Sequence, residues 1–590
     1  MIKKTLLYLS FPLIALMSCN SGGTDSKNNR SGSVADDAVN TGFKNYSDQF
    51  VTALWVQEPE WATQMGYHKF DAQLTIPDEA TKQRTLAFVS AQLDSLKAFD
   101  PALLTPSHQT DYRMIENYLK FRQWGLQSLK EGEWNPATYN VTGLIAFMLS
   151  ENYAPLKNRV TDCYKRILQI PAYYEAAKQQ LKNPVEELKQ LGIDQNEGGL
   201  YVLDKDFIDS LAHTDLSAQE KDSMRIAAQR AAAAVKAYVA HLRSWKGYTP
   251  RDFRLGKALY DDKFKYEIQS SLTAEQTYTA ALARKQYLHG EMAGISRQLW
   301  KKYFGDAAQP ADTLALIGKM IDTLSASHVK PDGFQAAIEK QLPELIRFIR
   351  EKNLLYIDST KPLVVRKEPA YMAGVAGASI SAPGPYDKGG NTYYNVGSLA
   401  GWPAAKAESY LREYNHYILQ ILNIHEAIPG HYTQLVYANR SPSIIKSILG
   451  NGAMVEGWAV YTEQMMLENG YGNNEPEMWL MWYKWHLRTV CNTILDYSVH
   501  AGQMSKDEAL RLLTKEAFQQ QAEAEGKWKR VSVTSVQLTS YYSGYQAIYD
   551  LRETLKKRMG KKFDLRAFHE QFLSYGSAPV KYISELMLQQ

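Results

Sequence analysis

Two histidines and a glutamate stand close together in HEAIPGH, residues 425 to 431. These residue types are the material of a zinc hydrolase site, in which neutral imidazoles hold the metal and a neighbouring carboxylate takes a proton from water as it attacks a carbonyl carbon. The spacing departs from the usual pattern. In H-E-x-x-H the second His follows the first by four residues and shares its helix face, whereas here the gap is six. Six residues turn a straight helix by about 600°, which leaves His431 about 120° away from His425.

The residues between the two histidines answer the difficulty. Pro429 sits where its N–H would have bonded the carbonyl of His425, and its ring clashes with that carbonyl. Gly430 follows and tolerates almost any backbone angle. The spacing therefore predicts a helix that bulges or breaks between Ile428 and His431, taking up the extra residues and returning His431 to the side of His425. Upstream, Tyr414, Ile418, Ile421 and His425 follow at steps of four, three and four, an inward helix face that aims His425 into the protein.

A third ligand is needed, with one position left open. Glu456 opens EGWAVYTEQMM, 25 residues after His431, a distance that fits one turn-back and a second helix packed on the first. Glu463, seven residues further on, shares the face of Glu456 and is the expected partner of an imidazole N–H or of the water. Glu426 is the expected general base. The competing reading makes His425 a satisfied core histidine and His431 a loop residue.

Further along, Tyr541, Tyr545, Ile548 and Arg552 share one helix face. A tyrosine hydroxyl there, Tyr545 above all, could stabilise an oxyanion, and Arg552 with Tyr541 could hold a peptide carboxylate. Tyr stripes at this period are also ordinary core, and an Arg near a helix end often pairs locally. Asp496 and His500 form an i, i+4 pair, so the carboxylate could orient an electrophilic imidazole, or the two could be purely structural.

These residues must be positioned by helices. DQFVTALWVQEPEWATQMG, DEATKQRTLAFVSAQLDSLKAF and SMRIAAQRAAAAVKAYVAHLRSW carry helical periodicity between short Pro, Gly or Asn punctuation. Strong helices are expected over 404 to about 428, about 452 to 468, 477 to 499, 506 to 521 and about 535 to 559. The fold class is mainly α, one large helical body with an N-terminal and a C-terminal lobe. One region differs: residues 362 to 396 have short β-branched or small-residue runs around a Pro/Gly-rich turn, which predicts a small antiparallel hairpin whose edge could take an extended substrate. The segment EMWLMWYKWHLRTV is rich in Trp and Met, but Lys484, His486 and Arg488 interrupt it, so a buried helix is expected rather than a membrane span.

The chain has 590 residues, 45% hydrophobic and 22% charged, with a formal charge of +4. This is ordinary globular composition, without the concentrated basic stripe that nucleic-acid binding requires. The N-terminus carries Lys3 and Lys4, an apolar run from Thr5 to Met17, and then LMSC ending at Cys19. That is a signal peptide over residues 1–18, and its ending resembles a bacterial lipobox, which makes Cys19 the expected lipidated residue and the bacterial cell envelope the expected location. Residues 19–42 read as a flexible tether, followed by one body over 43–590 with a helical lobe to about 250 and a catalytic lobe from about 251. Cys163 and Cys491 are too few for a disulfide framework, although one bridge is open.

At these residues the chain resembles the bacterial family known as domain of unknown function 885. HEAIPGHYTQ and EGWAVYTE are similar to its H-E-A-x-P-G-H and E-G-W-A-x-Y-x-E signatures; LDYSVHAG, SYYSGYQAIYDLRE and EWATQMGYHKFD resemble further segments, so the likeness spans nearly the whole mature chain. Tyr432 replaces a second His common in the family, and Tyr497 and Ser498 replace Thr and Gly. The resemblance implies a helical zinc hydrolase of the gluzincin type, similar in plan to angiotensin-converting enzyme, thimet-type oligopeptidases and Taq-type carboxypeptidases, in which two helical lobes flank a deep cleft, with His425, His431 and Glu456 on zinc and Glu426 catalytic.

The expected function is thus a lipid-anchored zinc metallopeptidase for short peptides, with carboxypeptidase-like action favoured by Arg552 and no obligate protein partner. Two rivals stand beside it: a non-catalytic envelope lipoprotein that binds peptides or nutrients, and a metal-dependent hydrolase of a non-peptide ester or amide.

Overall fold

The computed structural model describes residues 34–369, 378–387 and 389–589. Cys19, the signal segment and the first part of the expected tether lie outside the described residues. The described chain is mainly helical, with one small sheet. Strong local signals set many of the helices. Helix α1 (Val34–Gln57) is followed by α2 (Pro106–Trp124), α3 (Ala218–Ser244) and α4 (Ala274–Phe304). Reciprocal bonds between Ser217 and Glu220 start α3, and between Thr273 and Gln276 start α4, each satisfying amide N–H groups that a helix start leaves free. Helix α1 corrects the tether expectation: the chain is helical from Val34, and Phe43 is already fully buried. The polar composition of this stretch conceals it; Val39 and Phe43 are the side chains that pack inward on the core.

Apolar side chains gather in two large cores. Phe43 to Leu119 pack together with Ala281 to Met587 in one, and Tyr139 to Leu242 form the other. A smaller cluster containing Trp134, Tyr260, Ala453 and Val536 lies apart from both. The lobe boundary expected near residue 250 falls just after the second core, while the first 80 or so described residues join the C-terminal core. Cys163 belongs to one core and Cys491 to the other, and both are free thiols.

The sheet has three strands: β1 (Leu363–Lys367), β2 (Ala378–Ser381) and β3 (Thr392–Val396). Their order is β1-β3-β2, with β2 antiparallel and β1 parallel to β3. The expected antiparallel hairpin is therefore only β2 and β3. The sheet is mixed because β3, four of whose five residues are buried, takes the centre and pairs on both edges. Residues 370–377, part of the expected hairpin region, lie outside the described residues.

The remaining helices carry the site: α5 (His416–Glu426), α6 (His431–Ala438), α7 (Gly452–Glu468), α8 (Pro476–His500), α9 (Gln521–Val533) and α10 (Ser540–Met559). The single helix expected over 404 to 428 is two, because the Asn415 side chain accepts from the N–H groups of Tyr417 and Ile418 and so starts α5 afresh. The helix expected over 506 to 521 stops early, passing into a wider turn at Leu512–Glu516 before Phe518 takes a positive φ. No helix among the described residues is long and apolar enough to cross a membrane. The Trp-rich α8 lies within the protein, its Lys484 bonded to Glu413 at 2.9 Å with both side chains buried.

Candidate metal centre

The interruption between α5 and α6 is complete. Helix α5 ends at Glu426, Ala427 leaves helical geometry, Ile428–Pro429 is a cis peptide, and α6 restarts at His431. Within the interruption the N–H of Gly430 donates to the carbonyl of Ile424 at 2.9 Å. Here glycine is required by close approach: a Cβ on Gly430 would lie 1.8 Å from the carbonyl oxygen of His425. The chain thus doubles back on the end of α5, and the two imidazole rings meet edge to face with centroids 4.8 Å apart.

Helix α7 brings the third group. Glycine faces glycine where it crosses α10: a Cβ on Gly457 would lie 2.4 Å from the Cα of Gly544, and one on Gly544 would lie 1.7 Å from the carbonyl oxygen of Ala453. Backbone therefore rests on backbone next to Glu456. Trp458, one residue further, donates its indole N–H to the carbonyl of Pro429 at 2.9 Å. In EGW the glutamate enters the cluster, the glycine permits the crossing, and the tryptophan holds the interrupted segment.

Glu456 Oε2 lies 3.3 Å from His431 Nε2 and 3.8 Å from His425 Nε2. Glu426, next to His425 in the sequence, also approaches: donor atoms of His425, Glu426 and His431 all fall within 4.8 Å of one another. Glu456 is the nearer carboxylate and faces both imidazoles. On the other side of the ring, His425 Nδ1 bonds Glu463 Oε1 at 2.7 Å, and that same oxygen accepts from Trp485 Nε1 at 3.1 Å. An ionised carboxylate only accepts, so Nδ1 donates its proton to Glu463, and Nε2 is the ring nitrogen left facing Glu456.

That arrangement is a test of fit for a cation. Two imidazole nitrogens and a carboxylate oxygen converge, and Glu456 Oε2 is buried without a hydrogen-bond partner among the described residues. In four-coordinate zinc with bonds of about 2.1 Å, neighbouring donors stand about 3.4 Å apart. The observed 3.3 and 3.8 Å bracket that edge. The donor set, N, N and O with a carboxylate behind one imidazole, matches the chemistry of such an ion. Burial opposes charging of His425, but the nearby Glu456 carboxylate and the hydrogen bond to Glu463 prevail and push its pKa up to about 10. Burial likewise opposes ionisation of Glu456, yet the nearby His425 and His431 imidazoles hold it well below the usual carboxylate range.

Glu426 is half-buried, with no hydrogen bond to it among the described residues. Burial raises its pKa, partly offset by His431 and His425. Tyr541 on α10 is half-buried; burial is the main cause that pushes its pKa up to about 12, and the charge of Glu456 is the second. Its hydroxyl accepts from Arg530 of α9 at 3.3 Å. Strand β3 closes another side, with Tyr394 donating to Asn423 of α5 at 2.9 Å.

Three expected site residues stand elsewhere. Tyr545 is buried and donates to Gln464, with Arg284 on its oxygen at 3.3 Å and the His486 ring against it. Arg552 is already engaged: it bonds Glu468 at 2.6 Å and Glu553 at 2.9 Å, and stacks over Tyr461 and Tyr549. Its guanidinium is not free for a substrate carboxylate. His500 donates Nε2–H toward the carbonyls of Val531 and Thr534, both at 2.9 Å. Asp496, 3.7 Å from it, instead accepts from Val536 N–H, Thr539 and Tyr260. This pair ties α8 to the segment before α10. Trp458, Trp485 and Arg530 were not foreseen; the fixed place of Trp458 inside EGW was the available signal, whereas nothing local marked Arg530.

With this geometry in place the chain falls into a class. It belongs to the family described as bacterial protein of unknown function (DUF885), whose pattern matches residues 59–587. A candidate lipoprotein of unknown function from Shewanella oneidensis is 52% identical, with a TM-score of 0.83 over 92% of this chain and 99% of that one. The crystal structure of a candidate lipoprotein from Colwellia psychrerythraea shares 16% identity and the same fold, with a TM-score of 0.73 over 94% of this chain and 99% of that one. No functionally curated protein matches the sequence.

Proposed function

We propose that this protein is a zinc-dependent metallopeptidase acting on short peptides in the bacterial cell envelope. The observation that carries the reading is the convergence of His425 Nε2 and His431 Nε2 on Glu456 Oε2, with Glu463 bonded behind His425. His425, His431 and Glu456 would hold the ion. When bound, zinc supplies Lewis acidity toward a carbonyl oxygen and toward water. Glu426 then takes the proton from the attacking water and delivers it to the leaving amine. Its raised pKa suits a group that must carry a proton for part of the cycle. Tyr541, in place of Tyr545, donates its hydroxyl hydrogen to the developing oxyanion, and Arg530 on that same oxygen makes the hydroxyl a better donor. Glu463 keeps the His425 ring in one tautomer and orientation. The gluzincin-like plan, with a cleft that admits only short chains, is part of this reading.

Attachment through a lipid on Cys19 is supported by LMSC and by the lipoprotein designation of the relative from Shewanella oneidensis. Mass spectrometry of the mature protein tests it, since an N-terminus upstream of residue 19 without lipid would overturn it. Metal analysis of purified protein beside Glu426→Gln tests the enzyme. One equivalent of zinc in both, with peptide hydrolysis abolished only in the variant, is expected. Metal-free protein with peptide affinity would favour a binding lipoprotein, and hydrolysis confined to esters would favour the third class.

A further inference from the structure

A cluster of buried and half-buried charges lies beside the candidate centre. Helix α8 contributes Lys484 and Arg488, α9 contributes Glu523, Lys527 and Arg530, and Glu413 enters from the helix before α5. Lys484 pairs with Glu413 at 2.9 Å, and Arg488 pairs with Glu523. That leaves Lys527 and Arg530 over. Among the described residues neither has a carboxylate within ion-pair distance, and the Lys527 side chain, only 5% exposed, makes no hydrogen bond. Arg530 bonds only neutral groups, Gln537 Oε1 at 2.6 Å and the Tyr541 hydroxyl at 3.3 Å.

Buried cations are paired or they serve something, because an uncompensated ammonium out of water is costly. Burial, and after it the charge of Arg488, holds Lys527 well below the usual lysine range, against the weaker pull of Glu523 and Glu413, each already paired with another cation. The cluster also touches the centre from two sides. Arg488 lies 4.7 Å above the ring of Trp485, whose N–H bonds Glu463, which in turn bonds His425. Arg530 bonds Tyr541, on which the charge of Glu456 acts. Lys527 and Arg530, three residues apart, share a face of α9.

We infer that Lys527 and Arg530 form an anion subsite that binds the C-terminal α-carboxylate of the peptide, taking the role expected of Arg552. The inference rests on the peptidase reading for its substrate class. The Arg530 guanidinium can meet both oxygens of a carboxylate, with the Lys527 amine one turn away as a further N–H donor, and Arg530 sets the end of the chain beside the Tyr541 hydroxyl, so cleavage falls near the C-terminus.

The test is calorimetric binding of tri-alanine to the zinc-loaded Glu426→Gln protein, as the free acid, as the C-terminal amide, and as Ala-Ala-Glu amide, whose only carboxylate is in the side chain. The free acid is expected to bind at least tenfold more tightly than either amide. Lys527→Met and Arg530→Gln, made separately so that one misfolded variant leaves the other informative, are each expected to bring that ratio below threefold. Equal binding of acid and amide, or a ratio unchanged in folded variants, overturns the subsite. Tight binding of Ala-Ala-Glu amide overturns the α-carboxylate assignment. Hydrolysis by the unmodified protein is read separately. Cleavage of acid and amide at equal rates sinks this inference and leaves the peptidase standing, whereas acid-selective binding without any cleavage supports the subsite and sinks the peptidase.

Discussion

The indole N–H of Trp458 donates to the carbonyl oxygen of Pro429 at 2.9 Å. The helix that carries Glu456 therefore also holds the interruption that separates His425 from His431. The two sequence motifs are one structural unit.

Trp458→Phe tests that unit. The ring is retained against Phe572, on which the indole stacks at 5.6 Å, but the buried Pro429 carbonyl loses its donor. The expected cost is about 1–2 kcal/mol of stability. It is read from urea unfolding, and zinc affinity should fall with it; an unchanged melt with unchanged zinc affinity would separate the two motifs.

Glu463→Gln keeps the size of the side chain that orients His425 and removes its charge. Zinc affinity is expected to drop about 10- to 100-fold, measured by competition with a chromogenic chelator. Glu426→Gln is expected to leave that affinity within about threefold and to lower kcat by 10²-fold or more.

The glycine crossing predicts a contrast between two Gly→Ala substitutions. Gly544→Ala sets a methyl 1.7 Å from the Ala453 carbonyl and should destabilise by about 3 kcal/mol or prevent folding. Gly290→Ala, in the middle of α4 with nothing within 4 Å, should stabilise by about 0.5–1 kcal/mol. Thermal melts followed by circular dichroism read both.

Arg552→Ala is expected to lower stability by about 1–3 kcal/mol, because Glu468 loses its partner. It should leave the KM for a free-acid peptide within about twofold. A large KM effect would return Arg552 to substrate binding.

Acid should destabilise the fold through buried histidines. Burial holds His569 down to about 4, although its bond to the Leu354 carbonyl works the other way. In the unfolded chain the group titrates near 6.5. The folded form thus binds fewer protons, and stability is lost as pH falls from about 6.5 toward 4, by about 2 kcal/mol at pH 5. His500, also near 4, acts in the same direction, but burial raises its neighbour Asp496 to about 6, which recovers about 1 kcal/mol over that interval. His569 is therefore the cleaner probe. The loss in urea midpoint between pH 7.5 and 5 should shrink in His569→Gln; an identical loss would exclude His569 as its source.

Much of the centre was legible before the fold. Pro429 and Gly430 announce a break by local sterics, and the spacing of Glu456 and Glu463 follows from helix periodicity alone, so these assignments depend on few neighbours. For Tyr545, Arg552 and His500 the sequence leaves a functional and a structural reading open, because their partners, Gln464, Glu468 and the Val531 and Thr534 carbonyls, come from other elements or from a turn. A helix face says which side chains point together, not what they meet. The start of α5 at Asn415 and the parallel pairing of β1 were missed for different reasons: Asn415 interrupts an otherwise apolar periodicity, and strand direction depends on a centre that composition does not reveal.

Gly457 and Gly544 have one more consequence. Where main chain meets main chain, no rotamer remains to be adjusted, so the reach of Glu456 toward the two imidazoles is gauged by a rigid frame. Substitutions that tune softer contacts by lengthening or bending a side chain have no purchase at this crossing, so the separation of α7 and α10 is set by the backbone itself.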